Sequence, residues 1–184
     1  MKKMFDFNTK TIVATGIGAA LFTLLFMYVA IPTGVPNTSI MPAFGISAFF
    51  GALYGPIAGG LICLIGNILS GAMSGGIWWS WAIAAGVCGF IGGMCYPKLK
   101  IEEGIFGKKD IILFNIYVLI GNVIAWVLVA PILDIVIYAE PVELVFTQGA
   151  VAGLTDEIAA AVIGTVLLII YSKTRAQKGS LSKG

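Results

Sequence analysis

The 184-residue chain contains no histidine, and charged residues make up only 11% of it. Without histidine it lacks the side chain that most often acts as a general base or metal ligand near neutral pH. It also lacks a GxxxxGKS or GxxxxGKT phosphate-binding loop, because Glu102 stands where the first glycine would have to precede Gly107 and Lys108. We therefore predict no catalytic residue, no metal, no cofactor and no ATP hydrolysis by this chain.

Apolar residues account for 59% of the chain and give it a mean hydropathy of +0.99. Soluble proteins carry about 25% charged residues, so this composition excludes an ordinary soluble protein. A membrane-crossing helix needs about 20 apolar residues, which leaves room for five or six spans and no separate soluble domain. The three cysteines lie inside apolar runs without metal or redox spacing, and we predict that they are buried packing residues.

Six apolar segments are predicted to be helices. The first is followed by Pro32, Gly34 and Pro36, which are incompatible with a continuing helix. Pro131 lies near the end of the fifth segment and is expected to kink or end that helix. The predicted spans cover residues 11–31, 39–53, 57–72, 78–96, 111–137 and 148–171. The predicted fold class is an all-α membrane protein, a single compact bundle of six transmembrane helices formed by residues 11–171.

All eleven basic residues cluster in three places along the chain. They precede the first span, separate the fourth from the fifth, and follow the last: Lys2, Lys3, Lys10, Lys98, Lys100, Lys108, Lys109, Lys173, Arg175, Lys178 and Lys183. With six spans these places share one side of the membrane, which the positive-inside rule assigns to the cytoplasm. We therefore expect both termini to be cytoplasmic, with residues 1–10 as the amino terminus and residues 172–184 as a disordered basic tail. The other side carries only acids, Asp134, Glu140 and Glu143.

In this orientation, polar and aromatic side chains from several spans reach the same outer layer of the membrane. Polar groups within a span are costly in lipid, so a shared depth indicates a roofed small-molecule pocket. We predict that this pocket binds its substrate through Asn37, Asn67, Trp78, Trp79, Asn122, Trp126, Gln148 and Asp156. Trp78 and Trp79 differ in direction by about 100° around a helix axis, so the two cannot both face one pocket.

Each of these residues also has a structural explanation. The tryptophans could form an aromatic belt at the membrane interface, and the asparagines could join helices through hydrogen bonds. Asp156 and Glu157, directly after Thr155, could instead cap the start of a helix if residues 148–154 were irregular backbone. Asn122 and Trp126 are four residues apart and are expected to lie on one face of the fifth helix.

Small residues in the first span form a second pattern. Ala14 and Gly18 are four residues apart, as are Gly16 and Ala20, so one flank of the helix is nearly smooth. Small residues at this spacing let another helix approach closely. The pattern is explained either by packing within the bundle or by a docking face for a partner subunit, and we predict these four residues as the docking face.

Four stretches of the chain resemble the substrate-binding S components of energy-coupling factor (ECF) transporters, in particular the riboflavin branch. They are IPTGVPNTSI after the first span, LYGPIAGGLICLIGNILS, GGIWWSWAI, and GLTDEIAAAVIGTVLLIIYSKTR at the end, so the resemblance covers nearly the whole chain. It implies six helices and cytoplasmic termini. It also implies a loop at residues 32–39 that covers an outward-facing vitamin pocket, and a first helix that meets a transmembrane T subunit driven by two ATP-binding subunits.

The leading hypothesis is therefore a non-catalytic S component in the bacterial cytoplasmic membrane, with lipid around it and no nucleic-acid partner. It would capture a water-soluble vitamin outside the cell and deliver it through the T subunit. The tryptophans and the scarcity of charge suit riboflavin, hydroxymethylpyrimidine or pyridoxine equally. One alternative is a stand-alone channel or secondary carrier for a small solute. The other, an intramembrane enzyme using Asp156 and Glu157, is disfavoured because the sequence lacks histidine and a paired nucleophile.

Overall fold

Prolines and glycines set several of the helix boundaries in the computed structural model, which describes Phe5 and residues 8–175. Gly55 has a positive φ of 98° and is followed by Pro56, so one helix ends and the next begins without a connecting loop. Asn8 caps the first helix by accepting a hydrogen bond from the Thr11 N–H at 3.1 Å. The helices in this part of the chain are α1 Thr9–Tyr28, α2 Ala43–Tyr54, α3 Pro56–Met73, α4 Trp79–Gly93, α5 Lys108–Tyr138 and α6 Val142–Lys173.

The predicted six-helix bundle is confirmed. Five of the helices are long and apolar enough to cross a membrane, whereas α2 has only 12 residues. At about 1.5 Å per residue α2 spans roughly 18 Å, well short of the hydrocarbon core of about 30 Å. It is packed between α1, α3, α4 and α6, so most of its side chains contact protein instead of lipid. Cys63, Cys88 and Cys95 are buried, as predicted.

The segment between α1 and α2, residues 31–40, folds as a short antiparallel hairpin. Strand β1 (Ile31–Pro32) pairs with β2 (Ser39–Ile40), with Ile31 opposite Ile40. The turn includes positive φ values at Gly34 and Asn37, and the Thr33 hydroxyl donates to the Thr38 carbonyl at 2.7 Å. We call this segment the α1–α2 loop. Its strands shorten both predicted neighbours, because α1 ends at Tyr28 and α2 begins at Ala43.

Helix α5 continues through Pro131, as the predicted span 111–137 does, so of the two expected effects of this proline, a kink or an end, the end does not occur. The middle of α5, Val123–Val129, is π-helical, and the Ala130 N–H bonds to the Ala125 carbonyl five residues earlier. The wider turn lies immediately before the proline, which has no N–H to donate to the preceding turn. The α-helix then resumes over Ala130–Tyr138.

Helix α6 is continuous over its 32 residues. The sequence had left open that residues 148–154 are irregular and that Asp156 and Glu157 cap a helix start. That alternative is wrong, because α6 begins at Val142 and both carboxylates lie near its middle. At about 1.5 Å per residue α6 is roughly 48 Å long, so it must tilt or extend beyond the hydrocarbon core.

Side-chain contacts show which helix ends share a side of the bundle. Lys10 at the start of α1 forms an ion pair with Glu102 between α4 and α5, at 3.1 Å, and lies 5.8 Å from the Tyr54 ring at the end of α2. Phe49 in α2 packs against Tyr171 near the end of α6, with ring centroids 5.8 Å apart. We call this side, with the link between α4 and α5, the basic end. The opposite side, which holds the α1–α2 loop, the start of α4 and the α5–α6 turn, is the acidic end.

The predicted terminal segments fall mostly outside the described residues. Of residues 1–10, the described part is Phe5 and residues 8–10, and α1 begins at Thr9, two residues before the predicted span. Of the predicted disordered tail at 172–184, residues 172–175 are described and residues 172–173 still belong to α6. The cytoplasmic location of both termini stays a prediction.

Candidate functional site

A cavity of about 550 Å³ opens at the acidic end of the bundle. Its volume lies within the range of roughly 300–1,000 Å³ that small-molecule sites occupy. All helices contribute to its wall, and the α1–α2 loop lies across its mouth. The lining residues are Phe26, Met27, Asn37, Ser39, Met41, Phe44, Asn67, Ser70, Gly71, Ser74, Gly76, Trp78, Trp81, Trp126, Glu140, Leu144, Gln148 and Asp156.

Three aromatic side chains form one continuous surface on the inner side of the cavity. The Trp81 and Trp126 rings lie 5.2 Å apart between centroids, and Phe44 meets Trp126 edge-on at 5.4 Å. Trp126 is only 1% exposed, and its indole N–H donates to the Asn122 amide oxygen at 3.1 Å. The Asn122 amide in turn donates to Glu157 at 2.9 Å. This chain of hydrogen bonds fixes the plane of Trp126, so the surface suits a flat apolar or aromatic ligand.

Asp134 connects the start of α4 to the last part of α5. Its carboxylate accepts hydrogen bonds from the indole N–H groups of Trp78 at 2.7 Å and Trp81 at 2.8 Å, and from the Ser80 hydroxyl. Asp134 is 2% exposed, so these bonds form out of contact with water. Because Trp78 and Trp81 both line the cavity, the position of one carboxylate determines the orientation of two of its walls.

Tyr138 makes a second connection between the same two helices. Its ring lies 4.5 Å from that of Trp78, and its hydroxyl accepts a hydrogen bond from the Trp79 backbone N–H at 3.0 Å. The first N–H groups of a helix have no partner within the helix, so this bond satisfies one of those at the start of α4.

Helix α6 holds the α1–α2 loop at Pro36 and the residue directly after the loop, Met41. The Gln148 side-chain amide donates to the Pro36 carbonyl at 2.8 Å, and the Met41 N–H donates to an Asp156 carboxylate oxygen at 3.2 Å. Gly149 allows α5 and α6 to approach, because a Cβ at this position would overlap the Trp126 carbonyl oxygen. The loop and the Trp126 turn of α5 therefore both contact α6 directly.

The structure brings most of the predicted substrate-binding residues together. Those that line the cavity are Asn37, Asn67, Trp78, Trp126, Gln148 and Asp156. Trp79 does not line it; its side chain is 48% exposed on the outside of the bundle, since it is rotated away from Trp78 around the helix. Asn122 does not line it either, because it lies one layer behind and acts on the cavity through Trp126. The predicted shared face of Asn122 and Trp126 is confirmed by their hydrogen bond.

The sequence reasoning did not select Trp81, Phe44, Glu140 or Asp134. Trp81 is three residues after Trp78 and so lies on the same helix face, which was a usable signal. Asp134 was interpreted only as an acid on the outer side, although a carboxylate inside an apolar run is a sign of a specific partner. Phe44 gave no distinguishing signal among the apolar residues around it.

The four small residues predicted as a docking face divide between two surfaces of α1. Ala14 and Gly18 are buried, and a Cβ on Gly18 would lie 2.5 Å from the Ile62 side chain in α3. These two residues are packed inside the bundle, so they are not accessible to another subunit. Gly16 and Ala20 are exposed, and nothing lies within 4 Å of a Cβ on Gly16.

The apolar helical bundle is that of an integral, multi-pass cell-membrane protein, and it encloses an aromatic and polar cavity near one end. The family model for the ECF-type riboflavin transporter, S component, matches residues 6–173. The chain therefore belongs to the family of ECF-type riboflavin transporter S components. This family consists of transporter components, which are generally non-catalytic.

Similar proteins occur in several bacteria. A UPF0397 protein of Exiguobacterium sp. is 51% identical over 181 residues, which cover 98% of this chain and 99% of the relative. A UPF0397 protein of Lactiplantibacillus plantarum is 48% identical, with coverage of 96% and 95%. A UPF0397 protein of Streptococcus gordonii is 46% identical over the full length of both chains. The similarity covers the helices and the α1–α2 loop together.

Proposed function

We propose that this protein is the substrate-binding subunit of an ECF-type vitamin importer. It captures a water-soluble vitamin at the acidic end and delivers it through a transmembrane T subunit powered by two ATP-binding subunits. The observation that carries the proposal is the cavity under the α1–α2 loop, in a chain that belongs to the S component family.

The shape and chemistry of the cavity support a flat heteroaromatic ligand. Trp81 and Trp126 provide ring faces, while Asn67, Gln148 and Asp156 provide polar groups at the edges. This combination of apolar walls with a few polar groups is typical of small-molecule sites. Riboflavin, hydroxymethylpyrimidine and pyridoxine are the candidates, because each presents a flat ring and polar substituents.

The distribution of charge supports capture from outside. The cavity is at the acidic end, and the described Lys and Arg side chains are on segments at the basic end. The positive-inside rule places the basic end in the cytoplasm. The cavity then faces the medium, and the exposed Gly16 and Ala20 surface of α1 faces the membrane, where a T subunit could dock.

Ligand binding by the isolated subunit tests the first part of the proposal. The purified protein in detergent would be titrated with riboflavin, hydroxymethylpyrimidine and pyridoxine, with tryptophan fluorescence as the readout. Trp81 and Trp126 line the cavity, so a bound ring should quench their emission. Native mass spectrometry of the same preparation would identify any small molecule that co-purifies. Saturable binding without partner subunits is expected, and no binding of any vitamin would contradict the proposal.

Uptake into proteoliposomes tests the second part. Accumulation of the bound vitamin is expected when the chain is reconstituted with the T subunit and both ATPases and ATP is supplied. Uptake by this chain alone would instead identify a stand-alone channel or secondary carrier.

A further inference from the structure

One oxygen of the Asp156 carboxylate is directed to the cavity without a protein partner. Asp156 is 2% exposed and lines the cavity, and its Oδ1 accepts the Met41 N–H at 3.2 Å. Within the described residues this is the only hydrogen bond to Asp156. Every fully enclosed side-chain oxygen or nitrogen in that part of the chain has a hydrogen-bond partner, so Oδ2 must open on the cavity.

The described residues that line the cavity with Asp156 provide no compensating positive charge. Glu140 also lines the cavity, and the Asp134 carboxylate lies directly behind Trp78 and Trp81. Among the described residues that line the cavity there is no lysine or arginine. A buried carboxylate without a cation or a full set of hydrogen bonds is unfavourable. The cavity therefore lacks a positively charged hydrogen-bond donor, and an anionic or phosphorylated ligand would be repelled.

The aromatic surface of the same cavity favours a positively charged ligand. Phe44, Trp126 and Trp81 form a continuous set of rings, with centroid distances of 5.4 and 5.2 Å. The face of an indole attracts a cation, and this attraction is strengthened where water is excluded. A ring that carries positive charge would thus gain from both the indole faces and the carboxylate.

We infer that the ligand is a cationic or amino-substituted heteroaromatic ring that donates an N–H group to Asp156 Oδ2 and lies against Trp81 and Trp126. This inference rests on the proposed function and restricts its substrate class. A neutral ring such as that of riboflavin could donate a hydrogen bond to Oδ2 but would bring no positive charge to Asp156. Phosphorylated derivatives should not bind.

A comparison of matched vitamins tests the inference. The full-length protein in detergent would be titrated with thiamin, pyridoxamine and hydroxymethylpyrimidine, whose ring carries an amino group, as cationic or amino probes, and with riboflavin and pyridoxine as neutral probes. Pyridoxamine and pyridoxine differ only by an amino group in place of a hydroxyl group. The tightest binder should come from the cationic or amino set, and pyridoxamine should bind more tightly than pyridoxine.

Two variants test whether the Asp156 carboxylate is responsible for this ligand preference. Asp156→Asn keeps an oxygen for the Met41 N–H but removes the charge, and it should weaken binding of the tightest probe by at least about tenfold, as expected for loss of a charged hydrogen bond. Glu143→Gln removes the same charge from an exposed position at the acidic end that does not line the cavity. It should change the affinity by less than about threefold. Thermal melting of each variant checks that the fold is retained.

The other possible results contradict either the inference alone or the proposed function as well. If riboflavin or pyridoxine binds most tightly, or if Asp156→Asn stays within about threefold of the parent protein, the inference is wrong while the proposed function stands. If no probe of either set binds, both the inference and the proposed function are wrong.

Discussion

Asp134 in α5 orients two walls of the cavity, because its carboxylate accepts hydrogen bonds from side chains at the start of α4. Two indole N–H groups and one hydroxyl converge on this carboxylate, and the Asp134 side chain itself is buried. Hydrogen bonds to a charged group contribute about 1.5–3 kcal/mol each, and donors left without an acceptor carry a further desolvation cost. The carboxylate therefore positions Trp78 and Trp81, and it has this effect without touching the ligand itself.

Replacement of Asp134 should disturb ligand binding more than it disturbs the fold. Asp134→Leu leaves both indoles and Ser80 without an acceptor, and we expect the affinity for the bound vitamin to fall by about tenfold or more. Asp134→Asn keeps one acceptor oxygen, so its affinity should lie between those of the parent protein and the leucine variant. Fluorescence titration measures the affinity, and near-ultraviolet circular dichroism reports the tryptophan environment.

The exposed Trp79 provides the control for this prediction. Trp79→Phe removes an indole from the same helix turn, but its side chain does not line the cavity. It should leave the affinity within about threefold of the parent protein. Equal effects of Trp79→Phe and Asp134→Leu would show that the cavity does not depend on the Asp134 hydrogen bonds.

From the sequence, cavity-lining residues were easiest to recognise among the polar side chains in apolar spans, since few positions within lipid suit such groups. Asn67, Gln148 and Asp156 are polar side chains in apolar spans, so their depth alone pointed to a shared cavity, which they line. The direction of a side chain around its helix could not be read in the same way. Gly18 and Gly16 look equivalent in the sequence, yet one is packed against Ile62 and the other is open.

At the level of elements, the α3–α4 pair is held at its closest point by two glycines. A Cβ on Gly59 would overlap the Gly89 carbonyl oxygen, and a Cβ on Gly89 would overlap the Gly59 carbonyl oxygen. Backbones at this distance require residues without side chains, and close packing is a main source of helix association in membranes. Helix α4 also carries Trp78 and Trp81 at its start, so its position relative to α3 affects the cavity.

Adding one methyl group at this contact should separate the two helices. Gly89→Ala is expected to lower stability by about 1–3 kcal/mol, the usual cost of inserting extra volume into a packed core. Gly92→Ala is the matched control, since nothing lies within 4 Å of a Cβ at Gly92 on the same helix. Thermal melting in detergent compares the two variants. If both melt at the same temperature, the glycine contact does not hold the helices together.

The exposed small residues of α1 lead to a separate prediction about docking. Gly16→Leu combined with Ala20→Leu should reduce co-purification with the T subunit by about tenfold or more while vitamin binding is retained, because the enlarged surface prevents close helix approach. Ala150→Leu, an exposed position on α6, is the control. Unchanged co-purification of the double variant would exclude this face. Gly18→Leu is unsuitable for the test, since its side chain would collide with Ile62.

Helix boundaries could be predicted from the sequence where proline or glycine determines the backbone conformation without a contribution from tertiary packing. The break between α2 and α3 at Gly55 and Pro56 is of this kind. The predicted span 111–137 already ran through Pro131, but the π-helical stretch before this proline was not predictable, because it goes with packing against α6 at Gly149. The early start of α6 was missed because Glu143, Thr147 and Gln148 interrupt the apolar run there, although all three are helical and Gln148 bonds to the α1–α2 loop.

For the whole molecule, the sequence predicted the six-helix bundle correctly because hydropathy and charge distribution are properties of the entire chain. Contacts such as the one between Lys10 and Glu102 place the start of α1 and the link between α4 and α5 at the same end. The cavity lies at the end of the bundle opposite these basic segments. The orientation of the bundle in the membrane stays a prediction.

Cysteine labelling in intact cells can test that orientation, because Cys63, Cys88 and Cys95 are buried and should react little with a membrane-impermeant maleimide. Glu143→Cys, at the exposed start of α6 beside the cavity, should be labelled from outside. Lys108→Cys, at the exposed start of α5, should be labelled only after the cells are permeabilised, since basic segments remain in the cytoplasm. The parent chain controls for background reaction. Labelling of Lys108→Cys in intact cells would place the cavity on the cytoplasmic side, and a subunit with that orientation could not capture a vitamin from the medium.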